Sequence, residues 1–181
     1  MDQTDIDTLT SAIQSAWSRS PSDKATRYIG KFFERSRTGK KITARVHGNH
    51  GVYTVSIDAQ SATLKSACSC YIGKGGFCHH CAALAFTYLD DPNSFQPIKK
   101  KRLSQVHTVE DVETYLKANI LETLLKELKA KGVTQKEFAE SIGMNPRQLS
   151  SIKSSELRNR YYNELGATKL ACIWMIEHIK K

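Results

Sequence analysis

The stretch CSCYIGKGGFCHHC, residues 68–81, gathers four of the five cysteines and two of the six histidines of a 181-residue chain into fourteen positions. Thiolate and imidazole are the donors a tetrahedral zinc ion prefers, and C-x-C or C-x-H spacing lets one tight turn present two of them. Cys68 and Cys70 make the first pair, Cys78 and His80 the second. Between them YIGKGGF carries three glycines, enough backbone freedom to loop round a small ion. Cys81 stands at C-x2-C spacing from Cys78, and His79 adjoins His80, so each is an alternative fourth ligand.

Two other chemistries compete for the same residues. A Cys–His nucleophile needs a low-pKa thiol, a separately placed base and an oxyanion site, which a string of adjacent thiols does not supply. Oxidation of the paired thiols is a closer rival. Clustering of the cysteines, with Cys172 alone downstream, differs from the dispersed cysteines of secreted disulfide frameworks and favours a metal in a reducing compartment.

Outward from this stretch, the clearest β signal lies just upstream. In KITARVHGNHGVYTVSIDAQ, Ile42, Ala44 and Val46 alternate with polar residues, as do Tyr53, Val55 and Ile57 after the turn HGNHG, which predicts a hairpin. Gly48, Asn49 and Gly51 are expected to supply positive φ angles there. ATLKSACSC continues as a third strand into the first cysteine pair. CHHCAALAFTYL predicts a helix stopped by Pro92. Further upstream, Ile6, Leu9, Ile13 and Trp17 form one helical stripe, and TRYIGKFFERS, residues 26–36, fits either a short helix or a strand.

The order of β-strands, C-x-C, spacer, and C-x-H at a helix start resembles the SWIM zinc finger, from about Ile42 to about Tyr88. The resemblance implies one structural Zn2+ held by Cys68, Cys70, Cys78 and His80, with Cys81 a buried helical residue.

Downstream, DPNSFQPIKKKRLSQVHTVE combines two prolines with the basic run Lys99–Arg102 and lacks periodicity, which predicts a domain boundary. The expected domains are residues 1–92, a linker 93–107, and a helical domain 108–181. VEDVETYLKANILETLLKELKAKG places Val112, Leu116, Ile120, Leu124 and Leu128 at helical spacing and reads as one helix closed by Gly132. In GVTQKEFAESIGMNPRQLSSIK, Phe138, Ala139 and Ile142 face inward from a helix starting at Thr134, Gly143 takes the turn, and Leu149 and Ile152 face inward from the next.

This segment resembles the lambda-repressor-like (Cro/XRE-type) helix-turn-helix, clearly over residues 132–153 and more weakly from Leu121 to the C-terminus. By that resemblance the helix 146–154 enters the major groove of duplex DNA. Arg147, Gln148 and Ser151 then fall on the base-reading face, Asn145 is its cap, and Gln135 meets a backbone phosphate. Lys153, Arg158 and Arg160 are suited to neighbouring phosphates. Arg pairs bidentately with guanine and Gln with adenine, each good pair contributing about 1–3 kcal/mol of discrimination.

Composition agrees with these readings. Lys and Arg number 27 against 18 Asp and Glu, a net charge of +9, which favours polyanionic partners. No apolar run approaches the roughly 20 residues that span a bilayer, and MDQTDIDTLT is acidic where a secretory leader is basic and then apolar. The expectation is therefore an α+β protein: a small zinc-bound β-hairpin/helix module followed by an all-α helix-turn-helix bundle. It is expected to be a cytoplasmic, nucleoid-associated, non-enzymatic transcriptional regulator. The alternative is an adaptor whose zinc module binds a protein partner while the C-terminal half tethers it to DNA. The final segment IWMIEHI either completes the bundle core or pairs two chains as a homodimer.

Overall fold

A computed structural model describes residues 3–60, 63–98, 103–160 and 162–179, apart from the side chains of residues 74 and 75. The chain is α+β and divides into two compact units, Met1–Lys99 and Lys100–Lys181, each with its own core. The basic run Lys99–Arg102 lies outside the described residues. Among the described residues no helix is long and apolar enough to cross a membrane.

In the first unit, α1 (Gln3–Ala16) and α2 (Asp23–Thr26) precede four antiparallel strands: β1 (Phe33–Thr38), β2 (Lys41–Gly48), β3 (Gly51–Asp58) and β4 (Lys65–Cys68). The helix α3 (His79–Asp90) follows, then β5 (Gln96–Pro97) adds a parallel edge, giving the order β4-β3-β2-β1-β5. Alternation in β2 buries Ile42, Ala44 and Val46 while Thr43, Arg45 and His47 face away, as the two-residue period of a strand requires. Buried Cys81, Ala83, Leu84, Ala85 and Tyr88 leave α3 apolar on nearly every side. Accordingly it touches β3 and β4 as well as α1 and α2.

Three expectations about this unit need correction. The sheet is five-stranded rather than a hairpin with one added strand, because β1 and β5 also pair. β1 carries a register shift between Phe33 and Ser36, with Glu34 at φ 49, and such a bulge erases the alternation by which strands are recognised. In the hairpin only Gly51 has positive φ. Gly48 is needed for another reason: a Cβ there would lie 2.2 Å from the Tyr53 ring. Finally, the unit extends past residue 92, since Phe95 is buried edge-to-face on Tyr88 with ring centroids 5.2 Å apart. The Ile98 amide also donates to the Arg37 carbonyl at 2.7 Å.

The second unit contains α4 (Val109–Ala118), α5 (Leu121–Ala130), α6 (Gln135–Ser141), α7 (Pro146–Leu157) and α8 (Leu165–His178). Leu121, Leu124, Leu125, Leu128, Phe138, Leu149, Ile152, Cys172 and Ile173 build its core. Leu103 and Val106 pack against that core, so the unit begins before residue 108. Capping boxes start α4 (Thr108 with Asp111) and α6 (Thr134 with Glu137). Gly132, at φ +88, ends α5 while the Val133 amide reaches the Leu128 carbonyl at 3.0 Å, a Schellman closure.

The segment expected as one helix over 109–131 is two. Asn119 leaves the helix at φ −108 and ψ 112, and its Nδ2 donates to the Tyr115 carbonyl at 2.8 Å. Ile120 offers α5 no side-chain cap. Instead the Leu121 amide donates to a carboxylate oxygen of Glu156 at 2.7 Å, and Lys169 Nζ donates to the Leu116 carbonyl at 2.8 Å. The helix breaks where partners from α7 and α8 satisfy the exposed ends.

Candidate metal centre and candidate nucleic-acid face

Cys68 closes β4, and Cys70 follows at the start of a turn whose 3-10 segment is Ile72–Gly75. Cys78 is the N-cap of α3 and His80 lies in its first turn. The Sγ atoms of Cys68, Cys70 and Cys78 and one ring nitrogen of His80 all lie within 4.8 Å of one another, and all four residues are buried. His80 Nδ1 is 3.8 Å from Cys68 Sγ and 3.9 Å from Cys78 Sγ. Zn–S bonds of about 2.3 Å and Zn–N bonds of about 2.0 Å place tetrahedral ligands roughly 3.5–3.8 Å apart, so the set fits one zinc ion.

Backbone amides support the sulfurs. The Cys70 amide donates to Cys68 Sγ at 3.5 Å and the Gly73 amide to Cys70 Sγ at 3.1 Å, which offsets thiolate charge. Tyr28 packs edge-to-face on the His80 ring with centroids 4.6 Å apart, and Tyr53 tilts against it at 5.0 Å. These contacts fix the ring with Nδ1 toward the sulfurs. Its Nε2 is buried without a hydrogen-bond partner among the described residues.

Of the alternative ligands, Cys81 is fully buried with its Sγ 3.6 Å from Cys78 Sγ, and it stands outside the four-atom group. His79 is half-buried and stacks on Tyr28. The thiols have unequal acidity: hydrogen bonds from Cys68 and Cys81 hold Cys78 far below the usual thiol range. Their bonds to Cys78, followed by burial, push Cys68 and Cys81 up. Cys78 also stands at the N-terminus of α3, where the helix dipole favours an anion.

Two glycines shape the loop. A Cβ on Gly73 would stand 2.5 Å from the Cys68 carbonyl oxygen, and Gly76 has φ +73 with a virtual Cβ 2.8 Å from the Ser66 carbonyl. Gly73→Ala must shift backbone against a ligand residue. We expect it to lower zinc affinity about 10–100-fold, the range for disturbed supporting contacts, measured by competition with a chromophoric chelator.

In the second unit, α6 and α7 are joined by the turn 142–145, where Gly143 adopts φ +69. Leu149 and Ile152 are buried, while Arg147 and Ser151 are exposed and Gln148 is half-buried. Asn145 Oδ1 accepts from the Arg147 amide at 2.8 Å, and Pro146 takes the first helical position, where its missing N–H costs nothing. Gln135, exposed at the start of α6, meets Lys153 of α7 with Oε1 3.5 Å from Nζ. Asn145, Arg147, Gln148 and Ser151 thus share the beginning of α7, and Gln135 and Lys153 meet beside it. Arg158 and Arg160 lie at and beyond the far end of α7, Arg158 roughly 16 Å along the axis from Arg147 at 1.5 Å per residue. They do not join that cluster.

Sequence reasoning missed several residues around these sites. Tyr28 and Tyr53 read as core aromatics, and their contact with His80 depends on the fold. Ser66, whose Oγ accepts the Phe77 amide at 3.1 Å, carries no motif. Tyr71, Ile72 and Phe77 are 82%, 66% and 62% exposed on the metal loop, and Phe77 is held at φ 52. The hydrophobic residues of YIGKGGF were their only sequence signal.

Comparison with protein-family models, with curated proteins and with solved structures finds no match. Fold and site define the class: an α+β protein of two units, one carrying a compact Cys3His group suited to a metal ion, the other helical.

Proposed function

We propose that this chain is a DNA-binding protein, a transcriptional regulator of the cytoplasm or nucleoid. In this reading a SWIM-like zinc module is joined to a lambda-repressor-like helix-turn-helix that reads duplex DNA with α7. The observation carrying the reading is the division of α7: Leu149 and Ile152 are buried, whereas Arg147 and Ser151 are presented to solvent with Gln148 beside them. An exposed early helical turn rich in Arg, Gln and Ser suits base edges better than a protein partner, which aromatic or aliphatic anchors would serve. Gln135 and Lys153 then contact phosphates, Arg158 and Arg160 contact others farther along, and the net charge of +9 makes affinity fall with salt.

Zinc in this scheme is structural. Cys68, Cys70, Cys78 and His80 would hold it, and bound zinc contributes folding energy by crosslinking the end of β4 to the start of α3. Full four-residue ligation leaves no open position for substrate, so the reading is non-enzymatic.

Selection of bound fragments from a random duplex pool tests the proposal. Wild-type protein is expected to enrich a definite sequence, and Arg147→Ala/Gln148→Ala to lose it, with discrimination falling on the order of 100-fold. Equal, salt-sensitive binding to every duplex would overturn sequence reading. A second reading, an adaptor binding a protein through the metal loop, is favoured by one observation: the exposure of Tyr71, Ile72 and Phe77. No duplex binding at low salt would select it.

A further inference from the structure

Glu156 and Lys169 form an ion pair between α7 and α8, with only 15% and 6% of their side chains exposed. Each also serves one side of the α4–α5 break: Glu156 accepts the Leu121 amide at 2.7 Å, and Lys169 donates to the Leu116 carbonyl at 2.8 Å. The signs match the helix dipoles. A carboxylate sits at the N-terminus of α5 and an ammonium near the C-terminus of α4. One charge pair therefore ties four helices at a single point.

Stability is a weak reason to keep such a pair, since well-packed apolar residues often replace a buried ion pair without loss. Direction is a better one. Leu149, Ile152 and Glu156 lie at i, i+3 and i+7, one inward stripe of α7. Leu149 and Ile152 are buried, and apolar ridges in grooves leave crossing angles a scatter of about 15–20°. Apolar packing also leaves rotation about the axis of α7 loosely set, and a turn of about 20° would move its side-chain surface, about 5–6 Å from that axis, by about 2 Å. Arg147 and Ser151 stand on the side opposite the stripe, at 100° per residue, and a displacement of that size breaks a bidentate hydrogen bond.

We infer that Glu156 and Lys169 are positioning residues, fixing the rotation of α7 so that Arg147, Gln148 and Ser151 meet base edges in one register. The inference rests on the proposed reading of DNA by α7. It predicts a specific separation of effects: loss of the pair lowers sequence discrimination more than it lowers fold stability or salt-dependent binding to phosphates.

The test uses the full chain with zinc. Single removals leave a buried charge unpaired and are liable to unfold, so the informative variant is Glu156→Gln/Lys169→Met, in which Gln keeps an acceptor for the Leu121 amide. We expect this double variant to melt within a few degrees of wild type and to bind random duplex with the same salt slope. Its preference for the selected duplex over a scrambled one should fall at least tenfold. A folded double variant with undiminished preference would overturn the positioning role while leaving DNA reading intact. A double variant that fails to fold, while Lys169→Arg restores neither fold nor preference, would make the pair a stability element and also overturn it. Wild-type protein that selects no sequence would instead overturn the reading on which the inference rests.

Discussion

Removal of metal under reducing conditions is expected to unfold the first unit while the helices of the second persist. Structural zinc in small modules contributes roughly 10–16 kcal/mol of apparent binding energy at neutral pH, whereas a whole domain is stable by only about 5–15 kcal/mol. The centre joins the end of β4 to the start of α3, and α3 is the helix on which the sheet core of Ile42, Val55 and Ile57 closes. The second unit has a separate core, so its thermal transition should survive chelation. Circular dichroism melting of the full chain before and after verified metal loss reads both transitions. An unchanged first transition would sink the structural role of the metal, and Cys70→Ser should reproduce the effect of chelation.

The same centre shows what sequence reveals and what it conceals. Cys68, Cys70, Cys78 and His80 were legible because ligand spacing is local: each pair comes from one turn. The competition from Cys81 was also local: its Sγ lies 3.6 Å from Cys78 Sγ, yet it stands outside the compact group formed by Cys68, Cys70, Cys78 and His80. With Cys78 at the N-cap of α3, His80 turns Nδ1 to the sulfurs of Cys68 and Cys78. β2 and β3 were legible because alternation survives in them. β1 was ambiguous because FERSRT is mostly polar and bulged at Glu34. β5 was missed because two residues ending in a proline carry no period; its pairing with β1, the Ile98–Arg37 hydrogen bond and the burial of Phe95 tie that segment to the first unit. The turn between α6 and α7 could be read from Gly143, whose φ of +69 few other residues adopt without strain.

The break between α4 and α5 was concealed for a deeper reason, and its consequence is the second large effect expected. Val112, Leu116, Ile120, Leu124 and Leu128 continue one helical stripe across Asn119, and local propensity alone favours an unbroken helix. What ends α4 is supplied from far away in sequence: Glu156 lies 35 residues from Leu121 and Lys169 lies 53 residues from Leu116. Lys169→Ala removes one partner only. It leaves the largely covered Glu156 carboxylate, 15% exposed, against the Leu121 amide with its counter-charge gone, and the Leu116 carbonyl without its donor. Breaking a buried pair in this way costs about 3–5 kcal/mol, a large share of the stability of a helical unit of this size. Urea titration followed by circular dichroism is expected to show the lowered midpoint in the second unit, with the slope against denaturant unchanged. Glu156→Ala should cost a similar amount, and Glu156→Ala/Lys169→Ala less than the sum of the two single changes, because the second substitution removes the charge that the first leaves stranded. Strictly additive costs would mean that the two side chains do not act as a pair, and that the break between α4 and α5 is set by Asn119 alone.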